Sequence, residues 1–233
     1  MKPNKHEVRI QTSILNSIEK KVLIWMAKRM PKRINSDHLT EIGFVGALIS
    51  SAGYILSNRS VEFLWLASLG LVVNWFGDSL DGTLARVRNA QRPIYGFYID
   101  HNIDGLTILI ICIGAGLSPF ISFSTAMLIL AGYLLLSVFT YINTYLKGEF
   151  KITYSKLGPT EFRLIVIIIN TLFIYFPKWN QQFVFMGVTL KIFDAIGIVI
   201  ALVLFIIYLI YFVKDKKKYE ETDPLHPYYT TKQ

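Results

Sequence analysis

Four aspartates lie close together between Asp78 and Asp104, a stretch flanked by segments apolar enough to enter a membrane. The stretch reads DSLDGTLARVRNAQRPIYGFYIDHNID. Because carboxylates are costly at the edge of a hydrocarbon phase, their presence there predicts a functional site. They cannot all stay ionised side by side unless cations lie between them. Oxygen ligands without cysteine or a histidine cluster suit magnesium, manganese or calcium rather than zinc.

Helical spacing would bring these side chains together on two neighbouring helices. The aligned positions are Asp78, Asp81, Gly82 and Ala85 on the first helix, and Gly96, Asp100 and Asp104 on the second. The small residues leave room for a ligand against the helix backbone. Arg86 follows one turn after Gly82 and can neutralise a phosphate through a forked hydrogen-bond pair. With a turn near Pro93, the two helices would aim the carboxylates into one cavity for a phosphate-bearing, amphipathic substrate.

The pattern D-x-x-D-G-x-x-A-R, then nine residues, then G-x-x-x-D-x-x-x-D resembles the signature of the CDP-alcohol phosphotransferase family at all eight fixed positions. That family is also called the CDP-alcohol phosphatidyltransferases. The resemblance implies an integral membrane enzyme, usually a homodimer, that displaces CMP from a CDP-linked alcohol with the hydroxyl of a second alcohol. It also implies Mg²⁺ or Mn²⁺ as cofactor, with two divalent ions expected.

The resemblance also implies a role for each matching residue. The implied metal ligands are Asp78, Asp81, Asp100 and Asp104. The implied contacts of the CDP-alcohol are Gly82, Ala85, Arg86, Gly96 and, from the segment before the first span, Thr40. Asp104 would in addition be the catalytic base that takes the proton from the acceptor hydroxyl. His101 follows directly, as in the aminoalcohol branch of the family, although a histidine on a helix surface is more often packing than catalytic.

A second candidate site has the sequence KLGPTEFR, at residues 156–163. Gly158, Pro159 and Thr160 form a good helix start, which would explain them without any binding role. Arg163 falls at the entrance of an apolar span, where a charged side chain should face protein or water. The predicted acceptor-binding residues are Lys156, Glu161 and Arg163.

The remaining sequence describes the membrane protein that must position these residues. Of the 233 residues, 53% are hydrophobic and 17% are charged, and the mean hydropathy is +0.43, too apolar for an ordinary soluble domain. We expect an all-α integral membrane protein with six transmembrane helices. The predicted spans are 39–57, 61–80, 95–117, 119–146, 161–177 and 190–213. They form one catalytic domain, 39–213, between an N-terminal segment, 1–38, and a tail, 214–233.

Before the first span, apolar residues recur at helical spacing from Ser13 to Met30, with lysines on the other side. This pattern predicts an amphipathic helix at the membrane surface. The alternative is a helix that packs on the body of the protein.

The net charge of +8 is mostly a topology signal. With six spans, 21 of the 24 Lys and Arg residues fall on the side of the aspartates and both termini. The positive-inside rule therefore puts the termini and the site in the cytoplasm, and we expect a bacterial inner membrane. Nothing further in the sequence favours nucleic-acid binding.

The favoured function is phospholipid head-group synthesis, with two substrate patterns open. The donor is either CDP-diacylglycerol with a small polar acceptor, or a CDP-aminoalcohol with diacylglycerol as acceptor. A divalent-cation transporter is the alternative, because acidic residues within spans often mark ion paths. Against it, the span interiors are apolar apart from Asn74, Asn143 and Asn170.

Overall fold

The computed structural model describes residues 8–10, 16–147, 149–151, 158–176, 181–185 and 187–225. Within them the chain is mainly helical. The helices are α1 (Asn16–Arg29), α2 (Ser36–Leu56), α3 (Phe63–Val87), α4 (Pro93–Gly116), α5 (Phe123–Lys147), α6 (Pro159–Tyr175) and α7 (Ile192–Thr222).

Five of these helices, namely α2, α3, α4, α5 and α7, are long and apolar enough to cross a membrane. The helical, membrane-embedded character expected from the sequence is therefore supported. The helix α6 coincides with the fifth predicted span but has 17 residues. At about 1.5 Å per residue it is roughly 25 Å long, somewhat short of a bilayer core of about 30 Å. The count of six spans stays a prediction.

Four short strands were not predicted, so the all-α expectation is incomplete. Strand β1 (Val8–Ile10) pairs in parallel with β2 (Glu149–Lys151). Strand β3 (Gln182–Phe185) pairs antiparallel with β4 (Val188–Lys191), and Gly187 between them has a φ of 80°, which favours glycine. Runs of three or four residues are too short for an alternating pattern to stand out.

Two helices continue past the predicted ends of their spans. The helix α3 runs to Val87 rather than to residue 80, so the first half of the aspartate motif is helical. The helix α7 runs to Thr222, well into the predicted tail. In this extension Lys216 Nζ lies 3.9 Å from Oε1 of Glu220, which is one turn farther along the helix. Charged residues end the apolar pattern without ending the helix, since Lys and Glu are good helix formers.

Helices α2 and α3 pack with their backbones in contact. A Cβ atom added to Gly46 would lie 2.8 Å from both the Cα atom of Asn74 and the carbonyl oxygen of Gly70. Farther toward the site, a Cβ atom on Gly77 would collide with the backbone of Gly43. The Asn74 side-chain amide donates to the carbonyl oxygen of Gly43 at 2.9 Å. Small residues permit such close approach between membrane helices.

The helix α1 packs against α3 and also exposes apolar side chains. Leu23 and Ala27 are buried in a cluster with Leu39, Leu80 and Leu84. On another side of α1, Ile18 and Trp25 are 62% and 56% exposed. Both sequence interpretations therefore describe part of this helix, and its location at a membrane surface stays a prediction.

At the opposite end of the helices, Asp194 joins the starts of α5 and α7. Its Oδ1 accepts a hydrogen bond from the backbone N–H of Ser122 at 2.6 Å. Its Oδ2 accepts one from the backbone N–H of Lys191 at 3.0 Å. Asp194 is thus a buried cap for two helix N-termini.

We expect Gly46→Ala to destabilise the protein by about 1–3 kcal/mol, because the added methyl group overpacks the α2–α3 contact. The measurement is the thermal unfolding midpoint of the purified protein in detergent. Gly105→Ala is the matched control, since a Cβ atom there meets no atom of the described residues outside its own helix backbone within 4 Å. A Gly46→Ala midpoint equal to or above that of the control would contradict the close packing.

Candidate active site

A cavity of about 660 Å³ lies between the helices α1 to α6. All four aspartates of the motif line it. So do the other residues predicted to contact the CDP-alcohol, namely Thr40, Gly82, Ala85, Arg86 and Gly96. The structure therefore brings together every residue predicted for the metal and donor sites.

The first helix of the motif is held by α2. Asp81 is 8% exposed, and its backbone carbonyl accepts a hydrogen bond from Ser36 Oγ at 3.0 Å. Its carboxylate accepts from the backbone N–H of Gly82. Thr40 Oγ1 lies 2.7 Å from Asp81 Oδ2 and 3.1 Å from the carbonyl oxygen of Ser36. A hydroxyl has one proton, and the charged, closer acceptor is the stronger partner.

An ion pair links α3 to α6 across the cavity. Arg163 Nη2 donates to Asp78 Oδ2 at 2.7 Å, and the two side chains are 14% and 25% exposed. The sequence pointed to Arg163 as a charged residue at the start of a span, but not to its partner. The pair places one cation against the carboxylates and partly offsets their mutual repulsion.

The second helix of the motif brings an imidazole beside its carboxylates. Asp100, His101 and Asp104 each offer one ligand atom, and these atoms lie within 4.8 Å of one another. The His101 ring is also packed between Phe97 and Tyr141, with ring centroids 4.0 Å and 4.7 Å away. Packing therefore accounts for its place, as the sequence suggested, while its nitrogen lies among the acids.

The small residues of the motif differ in what surrounds them. A Cβ atom on Gly82 would lie 3.4 Å from Arg86 Nη1. That guanidinium donates to Thr83 Oγ1 at 2.9 Å and so folds back along its own helix. A Cβ atom on Gly96 would meet no described atom within 4 Å. Packing in the described protein does not require glycine at 96, and the space beside this residue is open to the cavity.

The donor set fits divalent metal ions. The cavity wall presents the four motif carboxylates, two further carboxylates from Glu19 and Asp37, and the imidazole of His101. Cys112, the single cysteine of the chain, is not among its lining residues. Carboxylate oxygens are the ligands that Mg²⁺ and Mn²⁺ prefer, and manganese also accepts imidazole. The residues predicted as metal ligands are thus suitable in both type and place.

Of the predicted acceptor residues, the structure brings one into the cavity. Arg163 lines the wall. Glu161 is buried, and its carboxylate accepts a hydrogen bond from the backbone N–H of Gly158 at 2.9 Å, so it caps α6. Lys156 lies outside the described residues.

Glu19 reaches the cavity from α1 and was not predicted from the sequence. Its Oε1 accepts hydrogen bonds from Trp75 Nε1 at 2.9 Å and from Thr160 Oγ1 at 2.6 Å, and Ser79 Oγ lies 3.4 Å away. The available signal was an acidic residue at the edge of an apolar stripe, where the neighbouring charges are lysines.

At the cavity mouth, Arg92 donates a hydrogen bond to Asp37, between the start of α4 and the start of α2. This hydrogen bond is the main cause that raises the pKa of the Arg92 guanidinium above its ordinary value. The mouth is therefore bordered by an ion pair that is open to solvent.

The motif of two helices thus lines a cavity in a protein with five helices long and apolar enough to cross a membrane. The profile of the CDP-alcohol phosphatidyltransferases matches residues 35–210, and the chain belongs to that family. This confirms the family and the enzyme class predicted from the eight-position motif, and leaves the transporter alternative without support.

Named relatives come from two groups. An archaetidylinositol phosphate synthase of Pyrococcus horikoshii is 31% identical over 140 residues, which cover 60% of this chain and 70% of the relative. Cholinephosphotransferase 1 of Gallus gallus is 23% identical over 185 residues, which cover 75% of this chain and 54% of the relative. A further archaetidylinositol phosphate synthase, from Methanothermobacter thermautotrophicus, is 32% identical over 102 residues, or 44% and 49%. The chain thus spans about half the length of two of these three relatives.

We expect Arg163→Gln to tighten Mn²⁺ binding, because the Arg163 guanidinium, paired with Asp78, would compete with a metal ion for that carboxylate. The dissociation constant should fall about tenfold, which corresponds to roughly 1.4 kcal/mol. Electron paramagnetic resonance of free Mn²⁺ during titration measures this directly. Arg92→Gln, which removes a cation bonded to Asp37 instead, should change the constant less than about threefold. Unchanged or weaker binding in Arg163→Gln would refute the competition.

Proposed function

We propose that the protein is a membrane-embedded transferase of phospholipid biosynthesis that displaces CMP from a CDP-alcohol by the hydroxyl of an acceptor alcohol. The observation that carries this proposal is the meeting of the four motif aspartates, from two helices, in one cavity. Family membership supplies the reaction class.

In the proposed reaction, the acceptor oxygen forms a bond to the phosphorus that carries the donor alcohol. The bond from this phosphorus to the oxygen bridging the diphosphate breaks, and CMP leaves with the electron pair. Asp104 takes the proton of the acceptor hydroxyl. A carboxylate among other acids is well suited to hold that proton, because their negative charges favour its protonated form.

Asp78, Asp81, Asp100 and Asp104 would hold the two divalent ions. When bound, such ions stabilise the negative charge that develops on the leaving diphosphate oxygen. Thr40 fixes the rotamer of Asp81 through its hydrogen bond at 2.7 Å. Arg86 would bind donor phosphate, and the open space beside Gly96 admits the donor close to the α4 backbone.

The wall of the cavity favours one of the two substrate patterns. Besides the motif arginine, it presents Lys20 from α1 and Arg163 from α6, cations suited to an anionic acceptor. Two of the relatives are named for making archaetidylinositol phosphate, and one for transferring cholinephosphate. We therefore favour a CDP-linked lipid as donor and a small, phosphate-bearing alcohol as acceptor, bound by Arg163.

The proposal includes six spans, α1 at the membrane surface, and a homodimer. The charge distribution supports a location of both termini and the cavity on the cytoplasmic side. A cell inner membrane is the proposed location.

The test is CMP release by purified protein in lipid nanodiscs, with each donor offered to each acceptor. CDP-diacylglycerol or its archaeal ether analogue is paired with inositol phosphate or glycerol phosphate, and CDP-choline is paired with diacylglycerol. Acceptor-dependent CMP release with a CDP-lipid supports the proposal. Release only from CDP-choline would move the assignment to the other pattern. If no CMP is released from any of these donors, the proposal is refuted.

Asp104→Asn should lower turnover by about 10²–10⁴-fold, the usual contribution of a positioned base. Mn²⁺ binding should persist in part, because three carboxylates remain. The matched control is Asp223→Asn, the same chemical change at an exposed residue at the end of α7. Turnover within threefold of the wild type would exclude Asp104 as the base.

Removal of divalent metal should stop CMP release, and added Mn²⁺ should restore it at least in part. The measurement is CMP release after exhaustive chelation and dialysis, followed by titration with Mn²⁺ or Mg²⁺. Full activity after chelation would contradict the metal assignment.

A further inference from the structure

The carboxylate of Glu19 bridges three helices at the edge of the cavity. It belongs to α1, and its Oε1 accepts from Trp75 Nε1 on α3 and from Thr160 Oγ1 on α6. The distances are 2.9 Å and 2.6 Å. A single carboxylate oxygen therefore connects the N-terminal helix to both α3 and α6.

The ion pair of the cavity joins the same two helices, α3 and α6. Thr160 precedes Arg163 by three residues, so both side chains lie on one face of the first turns of α6. Arg163 donates to Asp78 at 2.7 Å, one residue before Ser79, whose hydroxyl lies 3.4 Å from Glu19. Glu19 thus holds the start of α6 beside the point where Arg163 enters the cavity.

The positions of α3 and α6 do not depend equally on the hydrogen bonds of Glu19. The helix α3 is fixed by backbone contact with α2, for example at Gly46 and Gly77. The start of α6 is fixed near the cavity by the hydrogen bond from Thr160 and the ion pair of Arg163. Farther along α6, Asn170 bonds to Tyr54 and Ser68, so loss of the Glu19 carboxylate would loosen only the start of α6 while leaving α3, and the motif on it, in place.

We propose that Glu19 is a positioning residue for the acceptor: through Thr160 it sets the place of Arg163 in the cavity. The inference rests on the proposed function, in which Arg163 binds the acceptor. It gives α1 a part in substrate binding besides its predicted contact with the membrane.

The kinetic test compares Glu19→Ala and Glu19→Gln with the wild type in the CMP-release assay. In Glu19→Ala the KM for the acceptor should rise on the order of fivefold or more, while the KM for the CDP-alcohol stays within about twofold. Glu19→Gln keeps a side-chain oxygen and should restore part of the loss. Thr160→Val should reproduce the effect, and the double variant should be no worse than the stronger single one.

The matched control is Glu41→Ala, which removes an exposed glutamate from α2. It should leave both KM values unchanged. Equal increases in the two KM values of Glu19→Ala would overturn the proposal, because a general loosening of the cavity predicts them. A lower kcat with both KM values unchanged would overturn it as well.

A spectroscopic arm is independent of activity. Spin labels on Ser17 of α1 and Phe162 of α6, both exposed, are placed in a Cys112→Ser background and their separation is measured by pulsed electron paramagnetic resonance. Glu19→Ala should broaden or shift the distance distribution, whereas Glu41→Ala should not. An unchanged distribution in Glu19→Ala overturns the proposal. If the wild type releases no CMP from any donor, the proposed function fails, and this arm still decides whether Glu19 fixes α6.

Discussion

The backbone contact between α2 and α3 is the constraint on which the rest of the structure depends. Because Gly46 and Gly77 have no side chains to separate the two helices, the end of α3 lies directly beside the start of α2. Ser36 and Thr40 are thereby within hydrogen-bond distance of Asp81. In a membrane the hydrophobic effect does not favour helix association, so close packing and polar contacts must supply the stabilisation.

The second constraint is the repulsion among the four aspartates, which the fold itself reduces. Arg163 offers a guanidinium to Asp78, and Thr40 and the backbone N–H of Gly82 donate to Asp81. Removal of one partner from such a buried network leaves an uncompensated charge. The start of α6, which supplies Arg163, therefore has to be held in place. In the proposed arrangement, Glu19 does this through its hydrogen bond with Thr160.

The helical segments, and the meeting of the motif aspartates from two helices in one cavity, were predictable from the sequence because they follow from helical spacing and a short turn. What depends on contacts between distant segments was not predicted. No local pattern joins Glu19 to Thr160, which is 141 residues away, or Asp78 to Arg163. The glycines of α2 and α3 were an available signal, since small residues at helical spacing indicate close packing of membrane helices. Glu161 was assigned to the acceptor, although its position in the first turn of α6 also suited the cap that the structure shows.

Aspartates occur at both ends of this helical bundle, and their hydrogen bonds separate two kinds. Asp194 has each oxygen bound to a backbone N–H at a helix start, so its charge is already stabilised by fixed donors. Asp100 and Asp104 instead line a cavity with other carboxylates and offer oxygens within 4.8 Å of a histidine nitrogen. An acid bound by fixed backbone donors is part of the scaffold. Acids that share an open cavity repel one another unless a cation lies between them, and this difference in partners, rather than burial alone, supports the proposed metal site.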